Sequence, residues 1–556
     1  MATVQIAVKL LFPNLVLPYI LYFMRKKITL CCLAISFCFI SLFSEAQNIN
    51  LSNSPYFDGE CYLSANPLNP KHLVSAWIYF STTNLKDAIA TRSSFDGGNT
   101  WSPLQILPHV YTSFNSCDPT IYFGKDSCVY LGYIDLSGTH SNDSGYIMVS
   151  RSVNGGITWR APVKAISYLA QANLPIDRPW IAADGTNGPY RGRVYLTSQN
   201  AYFAPQPHHP WFTYSSDSGS TWTPIKQLDD SIPSGVITDA TAFTTVAANG
   251  TLYGFYYSYY TAYSPYARLV EVKSFNGGAS FTTHAAINLT TADGLPAADS
   301  LLKAGICVSS NPVDTNNLIL LSPSSYFGEP DITSYNTHDA GNTWAGPVRV
   351  NDDPVGAYDT CHDLNWGSFA PNGSFGVVWR DRRNTNIGDT VPFQIYGAMS
   401  VNGGNTYTAN FLISDAISPF IDLDHGDDFL GCAVSDSAVY ALWSDMRTGH
   451  ENTFFNATPI SKVPLGITSI SDNSNIKVDA YPNPFHNETH IVVSSTVPLN
   501  NCKLQVFSLD GKKVGELQIP ANGSYQFSNN TLASGTYIWS LFEGDKAIAH
   551  GKWVIE

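Results

Sequence analysis

The sequence predicts an all-β chain: a seven-bladed β-propeller, with six blades as the alternative, followed by a small β-sandwich. Three observations carry this expectation. A turn motif returns six times at near-constant spacing, short strand-like runs lie on both sides of every copy, and a second group of strands with its own hairpin turns closes the chain. Composition agrees, since 44% of the 556 residues are hydrophobic and 13% aromatic, with 41 Gly, 33 Pro and 31 Tyr. Such a chain can bury a sizeable core and turns often, as β-structure requires. Only 13% of residues are charged and the formal net charge is −14. That balance repels nucleic acid phosphates and anionic lipid surfaces, so neither is an expected partner.

In chain order, the first element is a targeting segment. From Met24 the run MRKKITLCCLAISFCFISLFSEAQ has a basic start at Arg25, Lys26 and Lys27, an apolar stretch and a small-x-small end at Ser44-Glu45-Ala46. It reads as a secretory signal cleaved after Ala46, with Met24 as the expected true start, so residues 1–46 are leader. Two membrane helices are the alternative, but each stretch is short for a bilayer span. Beyond the leader stand seven cysteines, Cys61, Cys117, Cys128, Cys307, Cys361, Cys432 and Cys502. Their scattered spacing argues against a zinc site or a dense disulfide framework and for small core residues.

The repeat occupies the next segment, 47–462. The copies are SFDGGNTW, SVNGGITW, SSDSGSTW, SFNGGASF, THDAGNTW and SVNGGNTY, starting at Ser94, Ser152, Ser215, Ser274, Thr337 and Ser400, about 60 residues apart. A fixed period of this size marks a repeat architecture. Each copy joins two strands, its Gly taking positive φ and its Asp accepting local backbone hydrogen bonds. The Asp positions are Asp96, Asp217 and Asp339, but Asn154, Asn276 and Asn402 replace them in the other copies. Asn keeps the acceptor and loses the charge, so the motif shapes a turn and neither binds metal nor moves protons. Two further strand-like runs precede each copy, giving four strands per unit, the composition of a propeller blade. After the sixth copy come FLGCAVSD, AVYALWSD and ENTFFNAT, three strands lacking a fourth, while NINLS at 48–52 is a strand lacking a blade. Together they complete a closing blade and remove the open edge.

This pattern resembles the Asp-box, or bacterial neuraminidase, repeat of the sialidase-like superfamily over roughly residues 48–462. The resemblance implies a sialidase-like propeller with its ligand mouth on the face away from the Asp-boxes. On that side the innermost strands start with Glu60, Asp118, Asp177 and Arg178, Asp239, Asp363, and Asp427 with Asp428, and second strands end with Arg380, Asp381, Arg382, Asp445 and Arg447. Two chemistries suit the mouth. As the resemblance implies, Arg178, Arg382 and Arg447 would grip a sugar or substrate carboxylate, with an Asp or Glu (Asp177 and Asp363 are the candidates) as general acid and a Tyr or carboxylate as nucleophile; or Asp118, Asp427 and Asp428 would hold Ca²⁺. No cofactor is otherwise expected. The plain alternative is that W-x-D-x-R is a structural device whose ion pair locks one blade to the next. The sequence also departs from true sialidases, whose first blade carries an Arg in an R-I-P motif, because PYFDGECYLSANP has none. Aromatics such as Tyr256 to Tyr260 offer sugar-stacking faces or strand filler, and His208 with His209 read as solvent-facing loop residues.

After a polar linker at 463–476, residues 477–556 carry YPNPF at Tyr481 to Phe485 and continue through LDGKKV, SGTYIWSL and GKWVIE. These runs resemble the type A sorting domain of type IX secretion cargo, an Ig-like sandwich; an ordinary Ig-like appendage is the alternative. The resemblance implies type IX machinery as a partner and a secreted or cell-surface location. The functional expectation is therefore an exported propeller that binds extracellular glycans or glycoproteins, with an exo-acting, sialidase-like glycoside hydrolase as the alternative.

Overall fold

The computed structural model describes residues 48–555 except 84, 138–143, 168–175, 202–203, 205, 236–240, 260–266, 289–304, 329, 355–360, 386–390, 421–428, 464–475 and short turns of the C-terminal module at 482, 496–498, 500–501, 509–511, 520–522, 529–531 and 544–545. Asn48–Glu556 is one compact unit. The leader and most of the linker lie outside the described residues, as do Asp239, Tyr260, Asp427 and Asp428. Among the described residues no helix is long and apolar enough to cross a membrane.

Seven four-stranded antiparallel sheets are described before the C-terminal module. The first is ordered Asp58–Asn66, Asn69–Ser81, Lys86–Ser94 and Gln105–Ile106, and the next five repeat that simple up-and-down order. The innermost strands, Asp58–Asn66, Asn115–Phe123, Ile176–Ala183, Phe243–Val246, Cys307–Ser310, His362–Phe369 and Gly431–Val434, neighbour one another in chain order, and the last lies against the first. In the last sheet the outermost strand comes from the N-terminus, as expected. Ile49–Asn50 pairs with Asn452–Pro459, Ile49 opposite Phe455 and Asn50 opposite Phe454. Second and third strands are apolar and almost wholly buried, as in Phe375–Asp381 and Ala438–Asp445, because each is covered on both faces by neighbouring sheets.

The repeated turns show why Asp and Asn interchange. In the first, the Gly98 amide donates to Ser94 Oγ (2.8 Å) and the Thr100 amide to Asp96 Oδ1 (2.9 Å). The Thr100 hydroxyl then donates to Asp96 Oδ2 at 2.6 Å. In the second copy the Thr158 amide donates to Asn154 Oδ1 (3.0 Å), while Asn154 Nδ2 donates to Thr158 Oγ1 (2.9 Å). The hydroxyl simply reverses its role, since it can donate or accept. Both the Gly97 and Gly98 positions have positive φ, and Ser218 and Ala340 adopt +60° at the former.

The C-terminal module is a sandwich of a three-stranded sheet (Ile476–Tyr481, Glu488–Ser495, Gly523–Ser528) on a four-stranded one (Lys513–Gln518, Cys502–Ser508, Gly535–Glu543, Lys546–Ile555). Phe485, Ile491, Leu504, Trp539 and Trp553 fill its core. None of the seven post-leader cysteines is in a disulfide; six are buried and Cys117 is half-buried.

Candidate functional site

Antiparallel order fixes which end of the ring holds what. The repeated turns join third strands to fourth, so the innermost strands begin at the opposite end, here called the mouth. Four of these strands open with the same irregularity, a bulge between Gly59 and Tyr62, Cys117 and Thr120, Asp177 and Trp180, and Asp363 and Trp366. The second residue of each bulge is left-handed: Glu60 (φ 49°), Asp118 (54°), Arg178 (47°) and Leu364 (47°). None is glycine, so each costs about 1–2 kcal/mol that the surrounding ring must hold in place. Three of the four are ionisable and stand at the mouth.

Each bulge also re-aims the strand beyond it. Tyr62, Trp180 and Trp366, each two residues past the left-handed position, turn to the axis. Trp180 stacks on Trp366 at 5.0 Å, Tyr62 meets Trp366 edge-on at 5.5 Å, and Phe243 and Phe429 close on Trp180 at 4.7 and 5.2 Å. Below the mouth the axis is therefore sealed by a five-ring aromatic plug.

Glu60, Asp118 and Asp177 are drawn together around Cys117, whose thiol is pushed well up by burial and then by the Asp118, Glu60 and Asp177 carboxylates. Asp118 Oδ2 accepts the Arg178 amide at 3.2 Å, tying the second sheet to the third. Next to Glu60, Asp58 is fully buried; burial raises its carboxyl to about 7, partly offset by Ser54, Ser52 and Trp77. The buried Glu451 packs over the intervening Gly59, where a Cβ would fall 2.2 Å from its Oε1.

Asp363 is differently placed. Burial would raise it, but Arg380 Nη2 at 2.6 Å and Arg382 Nη1 at 2.8 Å hold its carboxyl down at about 2. Arg382 is itself fully buried, with Nε and Nη2 unpartnered. Arg447 pairs with Asp445 (2.7 Å) and Asp415, packs over Phe454 at 4.6 Å, and reaches Asn48 Oδ1 at 3.4 Å. Arg383 repeats this arrangement one sheet earlier, bound to Asp381 (2.9 Å) and Asp352 (2.7 Å) and lying over Tyr396 at 4.4 Å. Trp379 and Trp443 each donate to the motif Asp at 2.8 Å. The W-x-D-x-R motif is thus an ion-pair lock, and the counterpart of Arg447 is Arg383, not Arg382. Arg382 and Arg447 are anchored to separate partners, Asp363 for the one and Asp445 with Asp415 for the other, while the Arg178 amide donates to Asp118.

Other expectations are corrected. His208 does not face solvent but is buried with Nε2 against the Ala204 carbonyl (2.8 Å), whereas His209 is half-buried, its Nδ1 2.9 Å from Asp229. Tyr256 and Tyr257 are buried strand residues, and the Tyr256 hydroxyl donates to the Ile232 carbonyl at 2.6 Å. A Ser116–His109–Asp135 cluster, which sequence reading missed, has the wrong connectivity for a nucleophilic triad. Serine and carboxylate both meet His109 Nδ1 at 3.0 Å, leaving no base nitrogen on the serine's far side. Among the described residues no group of three or more His, Cys, Asp or Glu is disposed to hold a metal ion.

Residues 479–556 match the family of secretion system C-terminal sorting domains. The chain is thus a type IX cargo, exported to the cell surface or the medium. Among solved structures it is similar to a Hadza microbial sialidase (16% identity, TM-score 0.41, covering 68% of this chain and 74% of that one). It is similar also to a protein of unknown function from Dyadobacter fermentans (15%, 0.41, 64% and 97%) and to an α-L-arabinanase of Penicillium chrysogenum (12%, 0.40, 75% and 99%). At such identities no side-chain role passes from those proteins to this one. No curated protein matches the chain.

Proposed function

We propose that the exported propeller binds extracellular glycans or glycoproteins at the mouth, through Glu60, Asp118, Asp177 and Arg178. The observation that supports this is the set of left-handed bulges, which hold three charged side chains, at an energetic cost, where the innermost strands begin. Strain retained at a rim is characteristic of ligand clamps. Carboxylates that accept sugar hydroxyls, and a guanidinium that grips an oxygen pair, suit a polar saccharide. Binding is favoured over hydrolysis because Asp363, one of the two carboxyls the sequence nominates for catalysis, is held ionised by two arginines. A carboxyl near 2 has no proton to give at neutral pH.

One observation favours the second reading, an exo-acting glycoside hydrolase of sialidase-like type. Asp58, near 7, has the proton affinity of a general acid and lies two residues from Glu60. The test offers the full-length protein, with and without Ca²⁺, to a glycan array and to chromogenic glycosides, alongside Glu60→Gln, Asp118→Asn, Asp177→Asn and Arg178→Ala. Binding without turnover, lost in these variants, is expected. Turnover abolished by Asp58→Asn would establish the hydrolase, Ca²⁺-dependent binding would assign Asp118 to a cation site, and silence in every assay would reject both readings.

A further inference from the structure

The aromatic plug has a second side. Toward the end of the ring that carries the repeated turns, the axis opens into a cavity of about 570 Å³ lined by all seven innermost strands. That volume lies in the range of small-molecule sites, about 300–1,000 Å³. Its floor is the plug itself, Tyr62, Trp180, Phe243 and Trp366, and its rim sets Pro67, Leu68, Pro312 and Pro371 beside Asn66 and Thr186. Among the described residues no Asp, Glu, Lys, Arg or His lines it, in contrast to the mouth.

The polar groups of the wall have a consistent character. Ser309 donates its hydroxyl proton to the Gly367 carbonyl (3.1 Å) and Ser310 to that of Val246 (2.8 Å). Ser368 donates to the Phe369 carbonyl at 3.4 Å. With their protons engaged, the Ser309 and Ser368 hydroxyls offer lone pairs to whatever enters, while Ser310 Oγ is also met by Thr245 Oγ1 at 3.0 Å. Two lining atoms are buried without any partner, Trp180 Nε1, a donor, and Thr244 Oγ1. A buried polar group left unpaired costs about 1–3 kcal/mol, which a ligand atom recovers.

We propose that this cavity is a second ligand site, separate from the mouth, that takes a neutral saccharide unit. An anion finds no cation there. A quaternary ammonium ion could rest on the rings but can neither donate to the serine oxygens nor accept from the indole N–H. A sugar ring presents an apolar face to Trp180 and Trp366 and hydroxyls that both donate and accept. The burial-raised thiols and phenols of the lining stay neutral at physiological pH, Cys307 pushed up to about 11 and Tyr122 to about 12.

The test uses the full-length protein with methyl β-D-glucopyranoside, methyl β-D-galactopyranoside, cellobiose and lactose, monitored by calorimetry and tryptophan fluorescence. Saturable binding with a fluorescence change is expected. It should weaken at least tenfold in Ser309→Trp and in Ser368→Phe, which fill the cavity from two adjacent strands, and persist in Arg178→Ala at the mouth. Melting midpoints show which variant is folded, and either one suffices. The proposal is overturned if none of the four probes binds, if a folded filled variant binds as the wild type does, or if N-acetylneuraminic acid or tetramethylammonium binds more tightly than the neutral probes.

Discussion

Replacing Gly98 and Gly219 by alanine separates two costs that the repeated turn otherwise combines. Both glycines occupy the same place in their copies, with φ +88° and +85°. An alanine at either pays about 1–2 kcal/mol for the left-handed conformation. At Gly219 the new methyl meets nothing closer than Tyr130 Cε1 at 3.7 Å, so strain is the whole effect. At Gly98 it would fall 2.2 and 2.4 Å from Phe455 Cε1 and Cζ. Phe455 is 1% exposed, packs edge-on against Trp101 at 5.1 Å and faces Ile49 of the closing strand. Its ring has nowhere to go without disturbing that strand, and overpacking of this kind costs about 1–3 kcal/mol more. Gly98→Ala should therefore lose about 2–5 kcal/mol and Gly219→Ala about 1–2 kcal/mol. Denaturant melts of the two variants, monitored by tryptophan fluorescence under identical conditions, give the order. Equal losses would refute the account, because they would mean that the packing of Phe455 does not decide the cost.

Asp96→Asn should change stability by less than about 0.5 kcal/mol in the same assay, since Asn154 already holds its turn with the reversed hydroxyl bond. Arg447→Met leaves Asp445, 1% exposed, without its cation and should cost about 2–4 kcal/mol, more than Arg447→Lys. Asp58 titrates near 7 in the folded chain against 3.8 unfolded, so folding takes up a proton between those values and wild-type stability falls as pH rises through them. Asp58→Asn removes that dependence. Its melting midpoint relative to wild type should climb from about pH 4 to about pH 7 and level off above, and a flat difference would show that the carboxyl is already ionised. Removing residues 477–556 should leave the protein folded but retained in the periplasm, as fractionation and immunoblotting would show.

What the sequence disclosed and what it hid divide along physical lines. The turns were legible because Gly, Asp or Asn and Thr at fixed spacing define a local hydrogen-bond circuit complete within eight residues. The N-terminal strand was legible by complement, one strand without a sheet and one sheet without a strand. The lock motif was legible too: the spacing Trp379-x-Asp381-x-Arg383 matches Trp443-x-Asp445-x-Arg447, and strict alignment would have separated Arg382 from the locking arginine. The bulges were not, because Glu60, Asp118, Arg178 and Leu364 have no one residue type in common and take positive φ under tertiary constraint alone. The plug was hidden for a related reason, being assembled from single rings on five separate elements. His208 was misjudged because its partner is a loop carbonyl, which leaves no trace in composition.

The closing strand also decides how the ring bears load. The sorting domain hangs from the segment just after Asn452–Pro459, and that strand is flanked by Ala438–Asp445 on one side and by Ile49–Asn50 on the other. Tension applied through the tail, as by machinery drawing the cargo outward, therefore runs along a strand paired throughout with Ala438–Asp445 and, at Phe454 and Phe455, with the N-terminal strand on its other edge. Such a strand is loaded in shear, its bonds strained together, where a free outer strand would peel one bond at a time. By offering its own beginning as the outer rail, the chain makes the strand from which it is towed one of the hardest to strip away.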